Sequence, residues 1–304
     1  MNLITDEIDF EAYFSEHQDE GANVKAASSW AEDVIDRLYG ETSRAAWTPT
    51  CFDKCRDRFE IRPGEVTLWA GINGHGKTTM LSQVMLGLMQ EGEKVCIASM
   101  EMKPADTMLK MTRQAAGVSG TPSIDFVRRF HKWTDNRLWI YDHLGKLPTK
   151  RALAVAMYVR KETGVGHLVI DSMMKCGIGP EDYAGQKDFV DELCTIARDT
   201  GLHVHLVVHM RKGENEFKAP DKFGVKGASE VTDLVDNLII VWKNLNKKED
   251  ETTKPDSYMR VAKQRHFSWE GSFAFWFDRE SQQYMEHEHA RPRHITLTDE
   301  REAA

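Results

Sequence analysis

Beyond Pro63-Gly64, short apolar runs alternate with longer stretches in which apolar residues recur every three or four positions. The runs at 66–70 (VTLWA), 94–100 (KVCIASM), 138–142 (LWIYD), 167–171 (HLVID), 203–209 (HVHLVVH) and 237–242 (NLIIVW) are nearly continuous in hydrophobicity, as strands buried on both faces are. Helical periodicity predicts helices over 79–90, 104–116, 149–162, 187–199 and 228–236. Pro104 opens the second of these, and Gly117, Gly164 and Gly201 close three of them. No element is assigned to 118–137. Strand and helix in alternation predict an α/β fold, a mainly parallel sheet covered by helices. Two alternating segments, 258–265 and 272–278, predict an antiparallel hairpin at one edge of that sheet, after a charged surface loop over 244–256.

The ends of the chain read differently. Residues 1–27 are rich in acids and poor in large apolar groups, which predicts a poorly ordered or partner-dependent arm. A helix start follows at Ser28-Ser29, with Trp30, Val34, Ile35 and Leu38 on one face and Gly40 as a stop. That face must be covered by the chain's own domain or by a neighbouring subunit. After Tyr284 the chain turns polar, and His287 and His289 read as part of a solvated tail rather than a metal site. The division expected is an arm and linker helix over 1–59, one domain over 60–284 and a tail over 285–304.

Composition narrows the class. With 304 residues and 41% hydrophobic content the chain can bury a sizeable core. Five cysteines are an odd number for a disulfide framework, and Cys51 and Cys55 form a C-x3-C pair without a second pair to complete a zinc site. No apolar run approaches the roughly 18 to 20 residues of a membrane span, and the acidic start lacks the features of a secretory signal. A reducing cytoplasm and no membrane partner are expected. The net charge of −8 argues against a surface generally attractive to nucleic acid, while leaving room for a local basic channel.

One stretch carries specific chemistry. After the run ending at Ala70 comes GINGHGKT, in which Gly71, four residues, Gly76, Lys77 and Thr78 complete G-x-x-x-x-G-K-[ST]. A strand precedes it and a helix follows, the context a phosphate-binding loop requires. Glycines let the backbone wrap an anion, N–H groups point inward, and the helix dipole adds positive potential. Gly71, Asn73, Gly74, His75, Gly76, Lys77, Thr78 and Thr79 are therefore expected to bind a nucleoside triphosphate, ATP or another NTP. Lys77 would reach the β- and γ-phosphates, and the Thr78 hydroxyl would hold Mg²⁺.

In parallel sheets ligands bind beyond the carboxyl ends of strands, which makes polar strand ends candidates. Asp171 closes LVI and is expected to support Mg²⁺. Glu101 follows ASM, where a carboxylate could take the proton of an attacking water, or could cap the helix ahead of Pro104. His209 ends LVVH, where an imidazole could bond the γ-phosphate; His203 and His205 share its side of the strand. Lys263 and Arg265, two apart, point to one face and call for an anion, a triphosphate of this subunit or of a neighbour. They could equally form a basic edge that discourages aggregation.

The order GINGHGKT, ASMEM, LVIDS, LVVHMRK and AKQR resembles the RecA-fold motor domain of replicative ring helicases of the DnaB type, nearest the Twinkle and phage primase-helicase branch. The resemblance covers about residues 60–284. It implies Lys77 and Thr78 on phosphates and Mg²⁺, Glu101 as catalytic base, Asp171 on Mg²⁺, His209 as phosphate sensor, and Lys263 with Arg265 acting on a neighbour's nucleotide. It also implies that the loop carrying Arg211, Lys212, Lys218, Lys222 and Lys226 lines a channel for single-stranded DNA, with Phe217 and Phe223 able to stack bases. The expected activity is NTP-driven translocation on single-stranded DNA and 5′→3′ unwinding of forked duplex by a homo-hexameric ring. With only 59 residues upstream, no primase domain or helical collar is expected in this chain. Priming or loading would then fall to another protein, unless this is one segment of a larger one. The rival readings are a DNA-coating recombinase of the RecA or RadA type and a KaiC-like regulatory ATPase without DNA.

Overall fold

The computed structural model describes residues 2–4, 27–32, 34–35, 48–179, 181–210, 220, 224, 229–266 and 269–297. Its centre is a ten-stranded sheet in the order β1-β6-β5-β7-β8-β4-β9-β10-β11-β12. The strands that position the site are β4 (Val66–Gly71), β5 (Val95–Ser99), β6 (Leu138–Tyr141), β7 (His167–Asp171), β8 (His203–His209) and β9 (Asn237–Lys243). All six run parallel to one another. The strand β10 (Ser257–Gln264) then reverses against β9 and pairs with β11 (Gly271–Phe277), the hairpin expected at the edge. Short β12 (Tyr284–Met285) completes this edge, and β1 (Asn2–Ile4) pairs parallel to β6 at the other. The separate pair β2 (Thr48–Pro49) and β3 (Glu60–Ile61) lies outside this sheet.

Helices cover both faces. One core layer joins Leu68 and Ala70 of β4 to α4 (Thr149–Thr163) and α5 (Tyr183–Thr200). The opposite layer joins Trp69 to α1 (Lys77–Gln90), α2 (Pro104–Ala116) and α3 (Ile124–Trp133). The alternation of Leu68, Trp69 and Ala70 between two cores is why the strand is apolar at successive positions. A short α6 (Ser229–Leu234) precedes β9. Among the described residues, no helix is long and apolar enough to cross a membrane, and no group of His, Cys, Asp and Glu could hold a metal by itself.

Three features depart from the sequence expectation. Helix α3 fills the stretch left unassigned; Ser123 caps it, accepting from the Phe126 N–H, and Phe126, Phe130 and Trp133 bury one face. Packing also carries the folded unit past both expected boundaries. Phe52, Cys55 and Phe59 are buried before residue 60, and Cys51 lies so close to Gly87 that a Cβ there would collide with it. Beyond Tyr284, Glu286 and Ile295 are buried, and the Ile295 N–H donates to the Ala115 carbonyl at 2.9 Å. The polar tail is thus bound to the domain at least through these residues, because its amides bond helix-end carbonyls that would otherwise lack partners. At the N-terminal end, β1 gives part of the acidic arm a place in the sheet. Val34 and Ile35 are exposed, at 50% and 46%; Leu38 lies outside the described residues.

Candidate active site

The phosphate loop leaves β4 near the middle of the ten-stranded sheet, between β8 and β9. Gly76 has φ +87°, a left-handed conformation, and a Cβ there would strike the Tyr284 hydroxyl. Gly71 has no room either: a Cβ would lie 2.5 Å from the Val241 carbonyl oxygen. Gly76 is therefore restricted to glycine by conformation and by space, and Gly71 by space alone. Lys77 begins α1 and donates from Nζ to the Gly71 carbonyl (2.9 Å) and the Ile72 carbonyl (3.2 Å), which holds its ammonium over the loop. His75 ties the loop to its neighbour strand, its Nδ1 accepting from the Lys243 N–H at 3.1 Å. A neutral His75 therefore carries its proton on Nε2.

Thr78 and Asp171 meet across the ends of α1 and β7, the hydroxyl donating to the carboxylate at 2.7 Å. Burial pushes the Asp171 carboxyl up and nearby Glu101 adds to this, while the Thr78 bond and the charges of Lys77 and Lys110 pull it down. Hydroxyl and carboxylate oxygens side by side are the hard donors Mg²⁺ prefers. One strand over, the Ser99 hydroxyl accepts from the Met102 N–H at 3.2 Å and shapes the turn that presents Glu101. Ser172 is fully buried and bridges two candidates: its hydroxyl lies 3.4 Å from Glu101 Oε1 and 3.4 Å from His209 Nε2. Glu101 and His209 are themselves 3.9 Å apart.

Five predicted residues (Lys77, Thr78, Glu101, Asp171 and His209) thus gather at the carboxyl ends of four adjacent strands. Ser172 was missed, although its position directly after Asp171 marked it. Also missed were Lys110, which shares a cavity with Thr78 and Asp171, and Gln114. The Gln114 amide donates to the carbonyls of Thr79 and Gln282, each at 2.9 Å, and so joins the first turn of α1 to the C-terminal segment.

Lys263 and Arg265 lie elsewhere. Gln264 pairs with Asn237, at the start of β9, whereas His75 and the phosphate loop adjoin Lys243, at its end. Seven residues of strand, about 20 Å, separate the two ends. Both cations turn to the C-terminus of α6: Lys263 Nζ donates to the carbonyls of Thr232, Asp233 and Val235, each at 2.8 Å, and Arg265 to those of Asp233 (3.1 Å) and Leu234 (2.8 Å). Within one chain the anionic partners are this helix end and, for Arg265, the Asp236 carboxylate at 3.6 Å, and service to the chain's own triphosphate is ruled out by position. Arg211, Lys212, Lys218, Lys222 and Lys226 lie outside the described residues.

A family model described as "AAA domain" matches residues 42–215, more than half of the chain. The chain belongs to the AAA domain family. Its phosphate loop, Thr78–Asp171 pair and strand-end carboxylate fall inside the matched span, and such a domain is a nucleotide-binding ATPase domain. This AAA domain has a RecA-like fold. It is similar to the structure titled "ATPase Domain of G40P", with a TM-score of 0.71 and 16% identity over 86% of this chain and 99% of that one. It is also similar to "The Structure Of A DnaB-Like Replicative Helicase And Its Interactions With Primase", with a TM-score of 0.68 and 14% identity over 86% of this chain and 67% of that one.

Proposed function

We propose that this AAA domain is the motor of a replicative DNA helicase, hydrolysing ATP or another NTP to move along single-stranded DNA as a homo-hexameric ring. The observation that carries this reading is the split of charged groups between the two ends of the sheet. Lys77, Thr78, Asp171, Glu101 and His209 converge at one end, and Lys263 and Arg265 stand at the other. A hydrolytic site whose arginine sits on the far side of the same domain calls for completion by a neighbour, which is the logic of head-to-tail assembly, a ring where the rotation closes.

In this reading the phosphate loop and Lys77 hold the triphosphate, and Thr78 with Asp171 hold Mg²⁺. When bound, that ion neutralises charge on the phosphate oxygens. Glu101 takes the proton of the attacking water. His209 bonds the γ-phosphate and, through Ser172, conveys its presence or loss to Glu101. Arg265, with Lys263, reaches a neighbour's nucleotide, its planar fork placed on the developing charge. The loop with Arg211, Lys212, Lys218, Lys222 and Lys226 grips the DNA backbone, and a separate primase or loader is the expected further partner. Both similar structures carry the same fold, one titled as a replicative helicase.

The test combines forked-duplex unwinding, stimulation of ATPase by single-stranded DNA, and particle images. Rings that unwind with ATP, fail as Lys77→Ala, and lose DNA stimulation when Lys218, Lys222 and Lys226 are neutralised together support the reading. Filaments without unwinding point to a recombinase instead, and DNA-indifferent rings to a regulatory ATPase.

A further inference from the structure

Lys110 is a lysine whose position the nucleotide chemistry above does not use. It lies on α2, one turn from Thr107 and one turn from Gln114, on the face of that helix turned toward α1. Thr78, Lys110 and Asp171 share a cavity of about 20 Å³ whose remaining wall is mostly apolar, with Leu81, Met85 and Val169 in it. That is space for about one water.

The side chain is half-buried, and its ammonium donates to the Met102 thioether at 3.8 Å. Sulfur is a weak acceptor, and among the described residues Lys110 forms no direct ion pair. A charge withdrawn from water onto such a partner is costly unless an anion balances it. The carboxylate in its cavity is Asp171, which has the complementary difficulty. It is buried, the Thr78 hydroxyl satisfies one oxygen without balancing its charge, and Lys77, the other cation that acts on it, is turned to the Gly71 and Ile72 carbonyls. The two charges act on each other across the cavity.

We propose that Lys110 is the resident countercharge of Asp171, a positioning residue that balances the carboxylate while no divalent cation is bound and competes with that cation when one arrives. The proposal rests on the nucleotide-site reading above. It predicts effects of opposite sign. Removing the ammonium leaves Asp171 in the free protein with the more distantly engaged Lys77 alone and so destabilises it. The same removal takes a like charge away from the Mg²⁺ position and so lowers the concentration of Mg²⁺ required. A lysine with only a packing role moves the first quantity and leaves the second alone. A lysine that binds phosphate weakens nucleotide binding as well.

The experiment titrates Mg²⁺ into the protein in the presence of a fluorescent ADP analogue, and separately records the melting temperature without nucleotide. For Lys110→Met the melting temperature falls, and half-saturation by Mg²⁺ moves to a concentration about three- to tenfold lower. Lys110→Arg keeps the charge and follows the parent in both. If Lys110→Met does not fold, Lys110→Gln is read in the same way. An unchanged Mg²⁺ requirement overturns the proposal, as does a raised one accompanied by weaker ADP binding. A parent protein that binds no ADP at any Mg²⁺ concentration overturns the nucleotide-site reading and this proposal with it. That failure is distinct because it precedes any substitution.

Discussion

Strand β8 enters the sheet with His203 and His205 and leaves it with His209, three imidazoles on one side by alternation. The first two are wholly buried, with ring centroids 4.4 Å apart. His203 Nε2 lies 2.9 Å from the Thr67 hydroxyl and its Nδ1 against the Arg62 carbonyl. His205 accepts from the Trp69 indole at 3.2 Å and lies 3.4 Å from His167. Their nitrogens are engaged inside the domain. His209, at the carboxyl end, keeps 17% of its side chain exposed, next to Ser172 and Glu101. The cations divide the same way. Lys77 is held by phosphate-loop carbonyls, while Lys263 and Arg265 close the end of a short helix. Residue type does not separate a structural group from a candidate catalytic one in this molecule. For the chain's own nucleotide, position along the strand does, because only the carboxyl ends of the parallel strands open onto the crevice where that ligand fits.

Arg265→Ala offers the sharpest way to break this division. If the arginine serves a neighbour's nucleotide, the variant binds nucleotide like the parent but loses DNA-stimulated turnover by about 10³-fold or more. Mixing it with Lys77→Ala then restores part of the activity, since some interfaces pair an intact loop with an intact arginine. A purely structural Arg265 costs only about 0.3–1 kcal/mol of stability, as a cation at a helix C-terminus, and no rescue follows in mixed rings.

The histidine pair tests the other half of the comparison. Burial pulls the His203 imidazole down to about 3, and burial with the neighbouring imidazoles lowers His205 as well. Both are therefore neutral in the folded state, and the unfolded chain takes up protons first. Their contribution is intact above pH 6.5, the ordinary histidine value, and is lost progressively below it. By pH 5, His203 alone should cost about 2 kcal/mol. Urea unfolding at pH 7.5 and pH 5 measures the loss, and His203→Gln should flatten it. Glu65 and Asp171, whose carboxyls burial pushes up, act in the opposite direction, so the variant isolates the histidine share. Equal pH dependence in parent and variant would remove His203 from the account.

Much of this was legible along the chain because its signals are local. The phosphate loop, the apolar strands and the glycine stops each declare themselves within a few residues, and strand-end position picked out Asp171, Glu101 and His209. Helix α3 carried a local signal too, a serine cap at Ser123 and the i, i+4, i+7 spacing of Phe126, Phe130 and Trp133, although no element was expected there. Ile295, Gln114 and Lys110 were hidden: each acquires its role from partners distant in sequence. Gln114 is the clearest, a single amide joining Thr79 to Gln282. No pattern in the sequence indicates that contact.

The most direct test of the central claim, that the carboxyl end of the sheet is the hydrolytic site, is Glu101→Gln. Glutamine keeps the shape of the side chain and removes the base. Equilibrium binding of ATP should match the parent, while hydrolysis falls by a factor on the order of 10² or more. Hydrolysis within a few-fold of the parent would contradict the account, leaving Glu101 a capping residue and the attacking water to another carboxylate.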